Sequence, residues 1–234
     1  MIDIQNVTVK FGGVVAVDDL TLKITDDVVG LIGPNGAGKT TLINAFSGFV
    51  KIHSGSIAIN GLNLFELAPH QRARWGIARS FQKVQIIQDL TVEDHLAAVL
   101  DSKITGRTPR EKAIRRALDF VGLSAFRHSL GAGLNPYLRR MTEIAKCLVG
   151  APRIILLDEP CGGLSEAEAS HLSNVIRSIH PEFGAQILMI DHDVELIRDV
   201  CKSTAVMDFG KLIAFGATET VLQDEVVKAA YLGR

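Results

Sequence analysis

One glycine-rich stretch near the N-terminus decides the fold: Gly33-Pro34-Asn35-Gly36-Ala37-Gly38-Lys39-Thr40-Thr41. It matches the pattern G-x-x-x-x-G-K-[ST], follows the apolar run at residues 28–32 and precedes the helix-like residues 41–46. In such a turn the backbone N–H groups surround phosphate oxygens, and the positive end of the following helix strengthens the field. The stretch therefore predicts a phosphate-binding loop between a buried strand and a helix.

Two side chains of this loop have predicted roles of their own. Lys39 is expected to reach the β- and γ-phosphates of a nucleotide, and the Thr40 hydroxyl to ligate Mg²⁺. Glycine is required at Gly36 and Gly38, because the turn needs unusual backbone angles and phosphate must approach without a Cβ in the way. The predicted nucleotide-binding residues of the loop are Gly33, Asn35, Gly36, Ala37, Gly38, Lys39, Thr40 and Thr41.

Composition narrows the class of protein. The chain has 234 residues, 47% of them apolar, and a net charge of −1, so we expect one or two domains and no bulk attraction to nucleic acid. The three cysteines are far apart without C-x-x-C spacing, which favours a reducing compartment over disulfides or zinc. No segment approaches the ~20 apolar residues of a membrane span, so we expect any membrane role to come through a partner.

Hydrophobic periodicity predicts the organisation of the rest of the chain. Residues 2–32 alternate like short strands, and residues 56–59 form a further strand before the turn Asn60-Gly61. Residues 91–130 have helical spacing, interrupted by a predicted turn at 105–109 whose Pro109 opens the next helix. Beyond them, apolar strands alternate with helices, which predicts a parallel α/β sheet. The strands are predicted at 154–157, 187–190 and 205–207, and the helices at 167–179 and 193–200.

A second chemical motif ends the strand at 154–157. Asp158 and Glu159 stand at its C-terminal end, which is where ligands bind in open α/β sheets. Asp158 is expected to hold Mg²⁺ through water, and Glu159 to polarise a water for attack on the γ-phosphate. A solvated acidic turn is the alternative for this motif taken alone.

Five motifs in a fixed order give the chain a resemblance to the ATPase subunits of ABC transporters. They are the loop at 33–41, Gln82 after Ser80-Phe81, the strand at 154–160, the turn at 162–165 and His192 after Asp191. Within that superfamily the chain looks most like the subunits of branched-chain amino acid, urea and amide importers, and the resemblance runs essentially end to end. The supporting segments are residues 11–17, 79–84, 90–92 and 230–234.

The resemblance implies a fold and a domain division. The expected class is α/β: a P-loop NTPase of the ABC type, with a RecA-like core, an antiparallel β subdomain and a helical subdomain. Residues 1–234 would form a single ABC ATPase domain. Within it, residues 1–82 and 154–234 would form the β subdomain and the nucleotide-binding core, and about 83–153 the helical subdomain.

The resemblance also implies roles for single residues, with ATP and Mg²⁺ as ligands. Phe11 would stack on adenine, although it also reads as a core strand residue in line with Val7 and Val9. Gln82 would contact Mg²⁺ and the water and pass the nucleotide state to the membrane partner, and His192 would contact the γ-phosphate. The implied catalytic residues are Lys39, Gln82, Glu159 and His192, and the implied metal ligands are Thr40, Gln82 and Asp158.

One segment departs from the family. The signature Leu-Ser-Gly-Gly-Gln should fall at residues 134–138, which read Leu134-Asn135-Pro136-Tyr137-Leu138. In the family, two subunits close head to tail, and this serine and glycine of one contact the γ-phosphate held by the other. Asn135 keeps a side-chain donor, Pro136 removes a backbone donor, and Tyr137 adds bulk. Losing a preorganised donor typically costs ~10²–10³ in rate, so a site that uses this segment should bind ATP but hydrolyse it poorly.

These expectations lead to a function and its alternatives. The chain would be a cytoplasmic, membrane-peripheral ATPase subunit that drives an importer of amino acids, urea or amides. Its expected partners are permease subunits, docked around the segment after Gln82 and the helical lobe, and a substrate-binding protein. A second ATPase subunit is also expected, with a heterodimer favoured over a homodimer. The alternatives are a regulatory ATP-binding subunit and an ATPase of lipopolysaccharide export or another non-uptake system. The ordered motifs disfavour a small-molecule P-loop kinase.

Overall fold

The computed structural model of the chain describes residues 1–102 and 109–232, so the predicted turn at 105–109 and the segment 230–234 lie partly outside the described residues. The described residues contain ten strands: β1 (Ile2–Phe11), β2 (Val14–Ile24), β3 (Val28–Ile32), β4 (Ser54–Ile59), β5 (Leu62–Asn63), β6 (Ile77–Arg79), β7 (Ile154–Asp158), β8 (Gln186–Ile190), β9 (Ser203–Asp208) and β10 (Lys211–Ala217). They also contain nine α-helices: α1 (Lys39–Ser47), α2 (Pro69–Trp75), α3 (Val92–Ser102), α4 (Arg110–Phe120), α5 (Pro136–Leu148), α6 (Glu166–Phe183), α7 (Val194–Val200), α8 (Thr218–Gln223) and α9 (Glu225–Val227).

The chain divides into two compact units. The first consists of the described residues of Met1–Arg72 and Gln186–Arg234, and the second of those of Ala73–Ala185.

An antiparallel sheet forms one part of the first unit, with strand order β2-β1-β4-β5. The central strand β1 pairs Ile2 with Ile24 of β2 on one side and with Ile59 of β4 on the other. All three isoleucines are buried, so this alternation of apolar residues builds a core face. The sequence predicted short strands here, but β1 and β2 are long because they form one continuous hairpin.

The second sheet of the first unit supports the phosphate-binding loop. Strand β3 lies between the parallel strands β8 and β9, and β10 pairs antiparallel with β9. Every residue of β3 is buried, as a strand flanked on both sides requires. Helix α1 follows the loop and buries Leu42, Ile43 and Phe46. The predicted order of buried strand, loop and helix is therefore present.

The second unit contains a parallel strand pair and a group of helices. Strands β6 and β7 pair through Ile77 with Ile154 and Arg79 with Leu156. Helices α3, α4 and α5 pack against one another, and α5 also packs against α6. Helix α6 continues past the predicted end at residue 179, through Pro181, and stops at Gly184, which has a left-handed backbone. Within the described part of the chain, no helix combines the length and apolarity needed to cross a membrane.

Candidate nucleotide and metal site

Glycines shape the phosphate-binding loop of the first unit in two different ways. A Cβ on Gly33 would lie 2.0 Å from the Met207 carbonyl oxygen, and one on Gly38 would lie 2.3 Å from the Ala16 carbonyl oxygen. Both glycines also have positive φ, of 146° and 100°. Gly36 has a φ of 82°, but a Cβ there would meet no atom within 4 Å. Glycine is thus required at Gly33 and Gly38 by packing and backbone angle together, and at Gly36 by angle alone.

Lys39 is positioned inside this loop. Its side chain is buried, and its Nζ donates to the carbonyl oxygens of Gly33 at 2.6 Å and Pro34 at 2.9 Å. The loop thereby holds a cation at the N-terminus of α1, where the helix dipole also favours an anion. Thr40, the next residue, is exposed. The donor set fits a nucleotide phosphate with Mg²⁺.

The opposite end of α1 is capped by Arg72. Its Nη1 donates to the carbonyl oxygens of Ala45 at 2.7 Å and Phe46 at 3.3 Å, and its guanidinium lies 4.8 Å from the centre of the Phe65 ring. Burial lowers the pKa of Arg72 from its ordinary value. A cation at a helix C-terminus stabilises the helix and satisfies its last carbonyls. Arg72 therefore fixes the helix that carries Lys39 and Thr40.

His192 and the phosphate-binding loop leave neighbouring strands of the same sheet. Strand β8 ends at Ile190 and runs parallel to β3, pairing Ile187 with Val28. Since both strands end at the same edge, His192 and Gly33 emerge on the same side of the first unit. His192 is exposed, and Asp193 next to it caps α7 by accepting from the N–H groups of Glu195 and Leu196. The loop therefore presents His192 to solvent.

Phe11 departs from the alternation that the sequence predicted. Val7 and Val9 are fully buried, whereas Phe11 is 51% exposed at the end of β1. The pairing of β1 with β2 shifts register between Val9 and Lys10, which is how a β-bulge reorients the residues beyond it. Phe11 is thus not a core strand residue in line with Val7 and Val9. An exposed aromatic ring in the same unit as the loop remains compatible with stacking on a base.

In the second unit, Asp158 forms an ion pair with Arg79. Asp158 ends β7, and its Oδ2 lies 3.2 Å from Arg79 Nη2 at the end of the paired strand β6. Both side chains are more than nine-tenths buried. Burial lowers the pKa of Arg79, and the adjacent Asp158 carboxylate opposes that shift by favouring the charged guanidinium. The predicted metal-binding carboxylate therefore faces a cation of its own chain.

Glu159 is held by Gln82. Gln82 Nε2 donates to Glu159 Oε2 at 2.7 Å. Glu159 also has a φ of 49°, a left-handed backbone that typically costs an L-residue ~1–2 kcal/mol. This backbone conformation ends the extended course of β7 at Glu159. The consecutive carboxylates of Asp158 and Glu159 therefore have different partners. The structure brings together Gln82 with Glu159 and Arg79 with Asp158.

The segment at 134–138 forms the start of α5. Asn135 is its N-cap, with Oδ1 accepting from Leu138 N–H at 2.8 Å, and Pro136 follows at the first helical position. The Tyr137 hydroxyl forms a hydrogen bond of 2.5 Å with Nδ1 of His171 on α6. Burial is the main cause that raises the pKa of Tyr137, and the charge of Glu168 adds to it. The segment is a self-capped helix start whose tyrosine is bound to α6.

Several charged residues that contact the Gln82 segment had no predicted role. Arg79 precedes the Ser80-Phe81-Gln82 motif, and Arg140, Glu143 and Lys146 on α5 bind the main chain of residues 81–85. Charges at spacings of three along a helix are typical of a solvated face, so the sequence alone did not mark them. The pairing of β6 with β7 is the signal that would have revealed Arg79.

The predicted site residues are divided between the two units. Phe11, the loop with Lys39 and Thr40, and His192 belong to the first unit, and Gln82, Asp158 and Glu159 to the second. The predicted metal ligands Thr40, Gln82 and Asp158 thus come from both units, and their joint role stays a prediction.

Comparison with known proteins identifies the family. Residues 17–162 match the ABC transporter family. The lipopolysaccharide export ATP-binding protein LptB of Haemophilus influenzae is 37% identical over 232 residues, which cover 98% of this chain and 95% of LptB. The high-affinity branched-chain amino acid transport ATP-binding protein BraF of Pseudomonas aeruginosa is 32% identical over 249 residues, covering 100% of this chain and 98% of BraF.

A solved structure has the same fold. The crystal structure of the ADP conformation of MJ1267, an ATP-binding cassette of an ABC transporter, matches with a TM-score of 0.88 and 26% identity, covering 100% of this chain and 99% of MJ1267. The predicted α/β class, a P-loop ABC ATPase, is thereby confirmed. The chain belongs to the ABC transporter family and is one of its ATP-binding ATPase subunits.

Proposed function

We propose that this subunit binds ATP with Mg²⁺ and couples its hydrolysis to a membrane permease. The observation that carries the proposal is the 2.7 Å hydrogen bond between Gln82 and Glu159. This bond joins Glu159, which is expected to polarise water, to Gln82, which begins the segment proposed to contact the permease. A change at the nucleotide therefore has a direct route to a partner bound beyond Gln82.

The residues divide the chemistry as follows. The loop N–H groups and Lys39 bind the phosphates, Phe11 stacks on the base and His192 contacts the γ-phosphate. Thr40, Gln82 and Asp158 would hold Mg²⁺, which supplies neutralisation of phosphate charge when bound. Glu159 orients the water and accepts its proton as the water attacks the γ-phosphate.

The permease contact is proposed at a cleft in the second unit that the segment after Gln82 helps to form. Its volume is about 410 Å³, and its lining includes Gln85, Ile87, Leu90, His95, Val99 and Lys146. Ile87 is 59% exposed at this cleft, so it offers apolar surface for a partner to cover. The proposed occupant is an apolar cytosolic helix of the permease, because a helix in a groove buries such side chains. We place the cleft in the helical subdomain, about residues 83–153 of a single ABC domain, at the cytoplasmic face of the membrane.

Import of branched-chain or other amino acids, urea or amides is the favoured transport function. Its support is the match to BraF, a branched-chain amino acid transport protein, over the full length of this chain. Lipopolysaccharide export is the second candidate, supported by the 37% identity to LptB. An import system would include a substrate-binding protein outside the membrane.

Gene deletion in the source cell distinguishes these two functions. If the subunit powers import, uptake of labelled leucine, urea or an amide falls on deletion and returns with the wild-type gene but not with Glu159→Gln. Surface lipopolysaccharide would then be unchanged. Loss of surface lipopolysaccharide with normal uptake of all these solutes would contradict import and establish the export function.

The working form is proposed to be an asymmetric pair with a second ATPase subunit. In a homodimer, the self-capped segment at 134–138 would face both nucleotides, whereas in a heterodimer it would face only one. The same capping favours a regulatory, weakly hydrolysing subunit as the alternative. Purified chain with and without the partner ATPase separates these cases. Turnover that rises only with the partner and depends on Glu159 supports the asymmetric pair; equal turnover alone and paired contradicts it.

A further inference from the structure

Helix α5 holds the loop that contains Gln82 through a stripe of charged side chains. Arg140 Nη1 donates to the Phe81 carbonyl oxygen at 3.0 Å, and its Nη2 donates to the Gln82 carbonyl oxygen at 3.1 Å. One turn later, Glu143 Oε1 accepts from the N–H of Gln85 at 3.0 Å. Lys146 Nζ donates to the Gln85 carbonyl oxygen at 2.8 Å. Four hydrogen bonds thus join α5 to the main chain of residues 81–85.

The first two charges of this stripe are deeply buried. The side chains of Arg140 and Glu143 are 4% and 2% exposed, and they pair with each other at 3.2 Å. Burying an ion pair is costly unless further hydrogen bonds satisfy both charges. Here those further bonds go to a loop and not to another helix, so the stability of the pair depends on the conformation of residues 81–85.

The two ends of α5 belong to different proposed functional surfaces. The helix begins in the segment 134–138, and Gln85 and Lys146 line the cleft proposed for the permease. Gln82 accepts from Arg140 through its main-chain carbonyl oxygen and donates to Glu159 through its side chain. Separating α5 from the Gln82 loop is costly, because both buried charges would lose their main-chain partners in the loop.

We propose that Arg140 is a positioning residue that makes the Gln82 loop and the segment 134–138 move as one piece. The inference rests on the proposed role of Gln82 as the reporter of nucleotide state. Nucleotide binding at one end is then transmitted through α5 to the segment that faces the second ATPase subunit, and permease binding at the cleft is transmitted in the same way.

The test compares amide hydrogen exchange in the full chain with and without MgATP. In the wild type, we expect exchange to change in both 81–88 and 134–138 when MgATP binds. Arg140→Met keeps the apolar stem but removes the guanidinium. In this variant, the nucleotide-free exchange of 81–88 is expected to accelerate by roughly tenfold or more. MgATP then alters exchange in 81–88 but no longer in 134–138.

Arg139→Met is the matched control on the same helix. Arg139 donates to the carbonyl oxygens of Leu134 and Ala132, whereas Arg140 donates to those of Phe81 and Gln82. It should leave exchange in 81–88 unchanged in the absence of nucleotide. Arg140→Lys keeps the charge that balances Glu143 but cannot form both branches of the fork, so it should give an intermediate acceleration. It serves as the test if Arg140→Met does not fold.

Retention of the full wild-type response of both segments in Arg140→Met, or in Arg140→Lys where Arg140→Met does not fold, would overturn the proposal. The measurement needs neither turnover nor a transported solute, so its failure differs from failure of the proposed function. A chain in which MgATP binds but leaves exchange in 81–88 unchanged would instead contradict the role of Gln82 itself.

Discussion

The N-termini of α1 and α5 are built in opposite ways. Helix α1 begins behind Gly38, which has no side chain with which to cap it and which holds a φ of 100°. Helix α5 begins behind Asn135, whose side chain accepts from Leu138 N–H, and its first residue is Pro136, which has no N–H. An N-terminus opened by glycine keeps its N–H groups for an anion, whereas at the start of α5 one N–H is taken by the cap and one is absent at proline. The N-terminus of α1 is therefore suited to bind phosphate, and the N-terminus of α5 is less suited.

The contrast extends along both helices. Helix α1 is fixed at its far end by Arg72, and helix α5 is fixed along its side by Arg140 and Glu143. Because Arg72 holds the C-terminal end of α1, its N-terminal end is left to bind phosphate. The second arrangement uses the side of α5 to hold the Gln82 loop. The helix whose start departs from the expected phosphate-binding signature therefore has a structural use in this chain.

The largest expected effect comes from adding a methyl group at the start of α1. Gly38→Ala places a Cβ against the Ala16 carbonyl oxygen at a positive φ, so it should reduce the free energy of unfolding by about 3 kcal/mol or more. ATP affinity should fall by roughly a hundredfold or more, as measured by calorimetric titration. Gly36→Ala is the control, because its Cβ meets no atom and its cost is only about 1–2 kcal/mol for the backbone angle. Equal losses in the two variants would contradict the packing argument.

Removing the cation at the end of α1 should have the next largest effect. Arg72→Met deletes the bonds to the Ala45 and Phe46 carbonyl oxygens, and we expect the free energy of unfolding to fall by about 2–4 kcal/mol in urea denaturation. Arg74 is an exposed arginine that lies with Arg72 on α2, so Arg74→Met should lower the free energy of unfolding by under about 1 kcal/mol. If both variants lose the same stability, Arg72 does not act as a cap.

The cap of α5 gives a smaller, complementary effect. Asn135→Ala should lower the free energy of unfolding by about 1 kcal/mol because Leu138 N–H loses its acceptor, whereas Asn135→Ser should be close to neutral. Urea denaturation of the two variants measures this difference. A neutral Asn135→Ala would mean that the start of α5 is not held by its cap, and the contrast with α1 would weaken.

Acid pH should weaken the second unit slightly through His95. The ring is buried, its Nε2 accepts from Ile87 N–H at 2.9 Å, and its Nδ1 donates to the Thr91 carbonyl oxygen at 2.7 Å. Burial lowers its pKa below the ordinary 6.5, so the unfolded chain takes up a proton at a higher pH than the folded chain does. The stabilisation is present above pH 6.5 and is lost as the pH falls through the lowered pKa.

The size of this pH effect is at most about 1 kcal/mol between pH 7 and 5.5. The urea midpoint of the wild type should fall more over this range than that of His95→Gln, which has no titrating ring. Parallel pH profiles of the two proteins would show that His95 does not titrate in this window.

The sequence predicted the parts of the fold that are encoded locally. The strand, loop and helix around Gly33 and Lys39 follow from residue types at fixed spacing, and the structure reproduces them. The sequence allowed two environments for Phe11, a core strand position or a site that stacks on adenine. The register shift after Val9 decides against the core position, and it depends on pairing with β2, which no local pattern reveals. Strand β10 was not predicted, because its residues are only partly buried and show no clear alternation.

The site shows the same division between local and long-range information. Gln82, Asp158 and Glu159 were identified from motifs, whereas the contacts that hold them depend on partners up to 79 positions away, as with Arg79 and Asp158. Arg140 and Glu143 resemble a surface pair in sequence and become buried only when the Gln82 loop lies on α5. The catalytic roles themselves stay predictions.

The measurement that tests the contrast between the two helices most directly is the ATP turnover of the chain alone at a concentration that forces dimerisation. The wild type is compared with a variant that restores the family signature through Asn135→Ser, Pro136→Gly, Tyr137→Gly and Leu138→Gln. Glu159→Gln in both backgrounds is the control, and ATP affinity in each sample verifies the fold. The account predicts turnover roughly a hundredfold higher in the restored variant, dependent on Glu159. Wild-type turnover as fast as that of the restored variant would contradict it.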